Sequence, residues 1–260
     1  MKYEKILYPD GSFYAKIIDY GEPMVITERI NSYNDLWFIK QLKDAMDHQG
    51  LQCHLSIPCL LDAQADRRFN SNESSNLKLV CDFINELEFV SVTVFHPHNP
   101  EVVENLIDNC VIRDNRRFIQ KVLADIGKDQ DELILFSTDA GGFKPLMKLA
   151  DKMKWEGEVY SANKSRKWAN GKSSLVQQID RSDFQGKSIL IIDDLCVYGG
   201  TFIGLRSLLA DRNVGELYLA VSHMTVPNPN PHLSEFTHVF TTDSKYDSYD
   251  LFNLTVFPHE

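Results

Sequence analysis

The chain has 260 residues, 43% hydrophobic and 25% charged, with a formal net charge of -10 at pH 7. This is the composition of one large packed core or two half-size ones, and it argues against disorder. The acidic balance argues against a nucleic-acid or membrane-surface binder, whose affinity comes mostly from a basic field. Five scattered cysteines, Cys53, Cys59, Cys81, Cys110 and Cys196, make no Cys-x-x-Cys pair and read as free thiols in a reducing compartment. The N-terminal MKYEKILYPDGS lacks the apolar stretch of a signal peptide. No apolar run reaches the roughly 20 residues of a membrane span, so the expected location is the cytoplasm.

Short β-branched runs alternate with longer amphipathic ones, which predicts an α/β fold. In chain order, strands are predicted at Met24–Thr27, Leu55–Pro58, Val90–Phe95, Glu132–Ser137, Glu158–Ser161, Ser188–Ile192 and Glu216–Ser222, with late ones at Thr237–Thr241 and Asn253–Phe257. Helices are predicted at Asp35–Gln49, after the candidate caps Ser32 and Asn34, and at Leu77–Glu88, Lys144–Trp155 and Phe202–Asp211. Val226–Pro231, rich in Pro and Asn, reads as a turn or loop. Strand followed by helix occurs in both halves, so two similar α/β domains are expected, 1–118 and 119–260, with the charged stretch Arg113–Arg117 near the crossing.

The most informative segment is Ser188–Thr201, SILIIDDLCVYGGT. Four apolar residues, Ile189–Ile192, predict a strand buried on both faces of a parallel sheet. Asp193 and Asp194 follow at its carboxyl end, where open α/β sheets bind ligands. Gly199, Gly200 and Thr201 then open a helix, so backbone N–H groups and the helix dipole favour an anion. Thr201 is expected to cap that helix and to donate its hydroxyl to the anion. Two acceptors for vicinal hydroxyls beside a phosphate cradle suit a ribose 5-phosphate. The plain alternative is a solvated Asp pair before a glycine turn.

This segment resembles the phosphoribosyl-diphosphate motif of type I phosphoribosyltransferases and of ribose-phosphate pyrophosphokinases. Four further segments point to the pyrophosphokinases. Ser137–Phe143 reads STDAGGF and looks like their DAGG segment, which implies that Asp139 reaches a nucleotide-bound metal. Phe95–Asn99, FHPHN, places His98 where the family has a His for Mg²⁺ and ATP phosphates, with His96 replacing the usual Asp. Ile57–Arg68, IPCLLDAQADRR, is similar to the family's IPY…ARQDRR, which implies ATP contacts from Gln64, Asp66 and Arg67, although Gln64 and Ala65 depart from the Arg-Gln pair. Leu7–Ile17, LYPDGSFYAKI, resembles the F-x-D-G-E segment that reaches a neighbour's ATP site; Tyr8 and Asp10 would contact adenine, and Ser12 stands for the Glu. A fifth stretch, Asn163–Arg166, NKSR, resembles the K-x-R pair of a catalytic loop, so Lys164 and Arg166 are the catalytic candidates.

The resemblance implies two phosphoribosyltransferase-like domains, Mg²⁺ as cofactor, ATP and a ribosyl phosphate as substrates, and a homo-oligomer, at least a dimer. The phosphate loop departs from the family's D-T-G-G-T in reading Val197-Tyr198-Gly199-Gly200-Thr201. Loss of a small hydroxyl donor and gain of an aromatic leave two acceptors open, ribose 5-phosphate and ADP-ribose. Two rival functions also stand. A phosphoribosyltransferase would consume the diphosphate donor without needing ATP, and a regulatory relative would bind ATP without turnover.

Overall fold

Residues Ser188–Cys196 form a strand at the centre of the second half of the chain, and its side chains show why a parallel sheet forms. Ile189 and Ile191 are fully buried among Phe202, Leu205 and Leu209 on one face. Leu190 and Ile192, one residue out of phase, are buried among Phe118, Leu146 and Leu149 on the other. A strand apolar at consecutive positions has two faces to cover, and helices on both sides cover them.

The computed structural model describes residues 1–68, 70–169 and 172–259, the side chains of 164–169 and 172–177 excepted. The chain divides into two compact units, Met1–Asp114 and Asn115–Glu260. The first unit runs β1 (Lys2–Leu7), β2 (Phe13–Asp19), β3 (Val25–Thr27), α1 (Tyr33–His48), β4 (His54–Ile57), α2 (Asn76–Asn85), β5 (Val92–Phe95), α3 (Pro100–Leu106) and β6 (Cys110–Arg113). Its sheet is parallel, in the order β3-β4-β5-β6. The second unit runs α4 (Arg116–Ile126), β7 (Leu133–Ser137), α5 (Ala140–Met153), β8 (Val159–Ser161), β9 (Asn163–Ala169), β10 (Lys172–Gln178), β11 (Ser188–Cys196), α6 (Gly200–Leu209), β12 (Leu217–Met224), a 3₁₀ turn (Pro231–Glu235), β13 (His238–Thr242) and β14 (Leu254–Phe257). Six of these strands make a parallel sheet, β14-β13-β12-β11-β7-β8, and β9 pairs antiparallel with β10 as a separate ribbon. Among the described residues no helix is long and apolar enough to cross a membrane.

The α/β class and its parallel sheets agree with the sequence reading, and several boundaries move for physical reasons. The division falls between Asp114 and Asn115 rather than at 118/119, because α4 buries Phe118, Ile119 and Val122 in the second unit's core. Helix α1 starts at Tyr33, after the cap Ser32; the Asp35 carboxylate accepts from the Ser32 backbone N–H at 2.9 Å. Helix α5 starts at Ala140, not Lys144, because Asp139 caps it. The stretch β1–β2, absent from the predicted elements, is an antiparallel hairpin. Lys5 fastens it to α1 by pairing with Asp35 at 3.1 Å and lying over Phe38, 4.6 Å from the ring centroid.

Candidate active site

In the second unit the chemistry gathers at the carboxyl edge of the sheet. Strands β7 and β11 lie side by side in parallel, with Ser137 opposite Ile192. Both therefore end toward the same edge, Asp139 following one and Asp193 lying on the other. Strand β11 continues past the carboxylates to Cys196, so Asp193 and Asp194 sit within the last turnings of the strand rather than after it. The Asp194 N–H donates to Asp193 Oδ1 at 2.9 Å, and Thr138 Oγ1 donates to Asp193 Oδ2 at 2.9 Å. Burial, and then the charge of Asp194, push the Asp193 carboxyl up to about 7. The adjacent Cys196 thiol is pushed up to about 12, mainly by burial, which makes it an inert core group.

The glycine turn follows. Gly199 has φ +83° and serves as the N-cap of α6. Thr201 is thus the second residue of the helix and does not cap it; a left-handed glycine turns the chain into the helix instead. A Cβ placed on Gly199 would come within 2.8 Å of Leu233, itself fully buried in the 3₁₀ turn. A Cβ on Gly200 would meet nothing within 4 Å. The turn is braced from behind and open in front, where the first N–H groups of α6 face an incoming anion. Val197 and Tyr198, 41% and 66% exposed, form its rim.

Leu233 and most of the 3₁₀ turn lie just past the predicted loop Val226–Pro231 and have no predicted element or role; an apolar residue directly after a Pro/Asn-rich stretch is the available signal. Gly199→Ala is expected to cost about 1–2 kcal/mol from the positive φ alone, with a further loss from the Leu233 contact. A thermal melt and an acceptor KM raised well beyond wild type would register both.

At Asp139 the geometry is that of a tightly shaped loop. Asp139 Oδ1 accepts from the Gly142 N–H at 3.0 Å, and Ser137 Oγ donates to the Asp139 carbonyl at 2.9 Å. A Cβ on Gly142 would fall 2.6 Å from Ser137 Oγ, so a side chain there would push the Ser137 hydroxyl off its bond to the Asp139 carbonyl.

In the first unit, the loops after β4 and β5 meet. Asn99 Nδ2 donates to Asp66 Oδ2 at 3.2 Å, which joins the Gln64–Arg67 stretch to the segment holding His98. Tyr33 also donates to Asp62 Oδ2 at 2.7 Å, tying the first of these loops to α1. Gln64, Arg67 and His98 are exposed. Tyr8 and Asp10 sit elsewhere, on the tip of the β1–β2 hairpin, with Tyr8 5.6 Å from the Tyr14 ring. The Ser12 hydroxyl donates to Asp10 Oδ1 at 2.7 Å, and this bond, with one from the Ser12 N–H, holds the Asp10 carboxyl below its usual range. One oxygen of Asp10 thus shapes its own turn. Lys164 and Arg166 lie on β9, and their side chains fall outside the described residues.

Mg²⁺ typically takes one or two carboxylates and leaves its other positions to water and substrate phosphates. Among the described residues no three His, Cys, Asp or Glu side chains form a cage. The Asp193–Asp194 pair suits such a partly held ion, because a cation beside it would offset the Asp194 charge that adds to burial in raising Asp193.

Comparison with known proteins agrees with this layout. The phosphoribosyl transferase domain model matches residues 103–248, a span that includes Asp139, Asp193, Asp194 and the glycine turn. Ribose-phosphate pyrophosphokinase of Pyrococcus abyssi is 23% identical over 220 residues, covering 83% of this chain and 74% of that protein. The Sulfolobus acidocaldarius enzyme of the same name is 24% identical over 231 residues, covering 86% and 76%. The chain belongs to the phosphoribosyl transferase domain family, with the ribose-phosphate pyrophosphokinases. Its fold agrees with that placement: phosphoribosylpyrophosphate synthetase from Mycobacterium smegmatis superposes with a TM-score of 0.79 at 18% identity, covering 99% of this chain and 86% of that one. The likeness of fold thus extends beyond the matched domain to the first unit.

Proposed function

We propose that the chain is a diphosphotransferase that moves the β,γ-diphosphate of ATP to the C1 hydroxyl of a ribosyl 5-phosphate compound, acting in the cytoplasm as a homo-oligomer. The observation that supports it most is the pair Asp193 and Asp194 beside a braced glycine turn at one sheet edge. The relatives' shared name points to the same chemistry.

In this reading Asp193 and Asp194 accept from the 2- and 3-hydroxyls of the acceptor. Residues 197–201 hold its 5-phosphate on the N-terminus of α6. Gln64, Asp66 and Arg67 hold ATP from the first unit, and Tyr8 and Asp10 contribute from a second copy; the exposure of Tyr8, 53%, supports a partner for that tip. His98 and Asp139 are the assigned Mg²⁺ contacts. When bound, Mg²⁺ neutralises charge across the phosphate oxygens. The C1 oxygen forms a bond to the β-phosphorus as the bond from that phosphorus to the α–β bridging oxygen breaks. AMP leaves with the bridging oxygen, and the hydroxyl proton passes to solvent. Such transfers rest on positioning and charge stabilisation, so Lys164 and Arg166 are assigned to the charge that builds on the transferring group. Product analysis after incubation with Mg-ATP and ribosyl phosphates tests the reading: AMP must appear only when an acceptor is present. In a parallel incubation with phosphoribosyl diphosphate and a nucleobase but no ATP, pyrophosphate release would instead mark a phosphoribosyltransferase, and ATP binding without turnover would mark a regulatory subunit.

One observation favours ADP-ribose over ribose 5-phosphate. The rim of the phosphate loop presents Tyr198 with two-thirds of its surface exposed, at a position that offers a stacking face in place of a small hydroxyl donor. With ADP-ribose as acceptor, Tyr198→Ala is expected to raise KM about tenfold, the equivalent of one lost stacking contact, and to change KM for ribose 5-phosphate much less, because in this reading the backbone of the loop and not the Tyr198 side chain holds the 5-phosphate. Equal effects on the two acceptors would remove the case for ADP-ribose.

A further inference from the structure

Three successive residues at the end of β7, Ser137, Thr138 and Asp139, use their polar groups in different directions. Ser137 and Asp139 make bonds within their own loop, to the Asp139 carbonyl and from the Gly142 N–H. Thr138, between them, reaches out of the loop and donates to Asp193 Oδ2 on the neighbouring strand at 2.9 Å. Thr138 is 3% exposed, so water does not compete for this bond, and a hydroxyl bound to a carboxylate in a dry setting is worth more than one at the surface. The other oxygen of Asp193 accepts from the Asp194 N–H. Two fixed donors, one on each oxygen, set the plane of the carboxylate and hence the direction of its remaining lone pairs. A threonine is well suited to this duty, because two heavy atoms on Cβ restrict χ1 and keep the hydroxyl aimed.

We propose that Thr138 is a positioning residue that couples the Asp139 loop to the ribosyl cradle, so that occupation of either raises the affinity of the other. The proposal rests on the assignment of Asp139 to the metal-bound nucleotide and of Asp193 to the acceptor. A ligand held by the Asp139 loop steadies the Thr138 hydroxyl on Asp193, and an acceptor held by Asp193 steadies the loop in return. Coupling of this kind is reciprocal by thermodynamic necessity.

Calorimetric titration of the full chain tests it, with ribose 5-phosphate and ADP-ribose as acceptors and Mg²⁺ with α,β-methylene-ATP, in which the bond to be broken is blocked. The wild type is expected to bind its acceptor about tenfold more tightly when the analogue is present. In Thr138→Val, of nearly the same shape, the ratio should fall to about one while each ligand still binds, and Thr138→Ser, which restores the hydroxyl, should recover most of it. A wild-type ratio of one overturns the coupling and leaves the cradle standing. A ratio preserved in Thr138→Val, or lost equally in Thr138→Ser, overturns the role of the hydroxyl. If the wild type binds neither ribosyl phosphate, the functional reading itself falls and the coupling with it.

Discussion

At pH 8 in metal-free buffer, Asp193→Asn is expected to melt about 5 °C above the wild type while losing measurable affinity for ribosyl phosphates. The carboxyl of Asp193 is pushed up from 3.8 to about 7, first by burial and then by Asp194. A carboxyl raised in the folded state binds its proton more tightly there than when unfolded. Its contribution to stability is therefore complete below about pH 4 and is lost as pH rises through about 7. Above that, the folded protein carries an ionised, crowded Asp193 at a cost on the order of 2 kcal/mol, a value set below the full shift because Asp194 shares the titration. Asparagine removes the charge and keeps the contacts. Its oxygen still accepts from the Asp194 N–H, and its amide can donate to the Thr138 hydroxyl, which simply turns round. About 2 kcal/mol corresponds to several degrees in a domain of this size. The gain should vanish at pH 4, where both proteins are neutral at this position. A variant no more stable than wild type at pH 8 would refute the assignment of strain to Asp193, and one that still bound ribosyl phosphates normally would refute its role in the cradle. Stability and affinity moving in opposite directions is the signature of a site built for a ligand rather than for the fold.

The largest kinetic effect is expected at Lys164 and Arg166. The two positions are two apart on β9, opposite Gln177 and Leu175 of β10. Alanine at either should lower kcat on the order of 10² to 10³, as loss of one donor to a developing anion does. KM for ATP and acceptor should change little, since the charge these cations meet appears only in the transition state. The double variant should lose less than the product of the two single losses, because both act on the same charge. AMP release under saturating substrates measures this. Near-normal turnover in both single variants would remove the pair from the catalytic assignment.

Sequence alone went furthest where one pattern served both fold and chemistry. Ile189–Ile192 dictates a strand covered on both faces, and the carboxylates and glycines that follow mark a strand end and a helix start, so β11 and α6 were legible together. Other elements were hidden by competing signals. The charge run Arg113–Arg117 suggested a linker and masked the start of α4, although Phe118, Ile119 and Val122 carry its buried stripe. Helix α3 is only seven residues long, too short to show a period, though Asn99 followed by Pro100 is a start signal. The hairpin β1–β2 alternates half-buried and exposed residues around an Asp-Gly turn, a period-2 pattern too weakly apolar to stand out. The ribbon β9–β10 brackets Asn170-Gly171 in the sequence, a strong hairpin pair that reads as mere polarity when taken residue by residue. Long-range partners were out of reach altogether. Nothing in the order of residues reveals that Thr138 meets Asp193, or that Leu233 backs Gly199, since both depend on which strands become neighbours.

That backing has a consequence for how the pocket can change. The path of the backbone at Gly199 is set from the interior, by a buried leucine some thirty residues downstream and not by the side chains at the mouth. Val197 and Tyr198 can therefore be exchanged without disturbing the curve on which they ride. On the proposed reading, recognition of whatever extends beyond the 5-phosphate would in this sense be modular: the anchor would stay put, and the two mouth positions could be re-cut for a smaller or a bulkier guest.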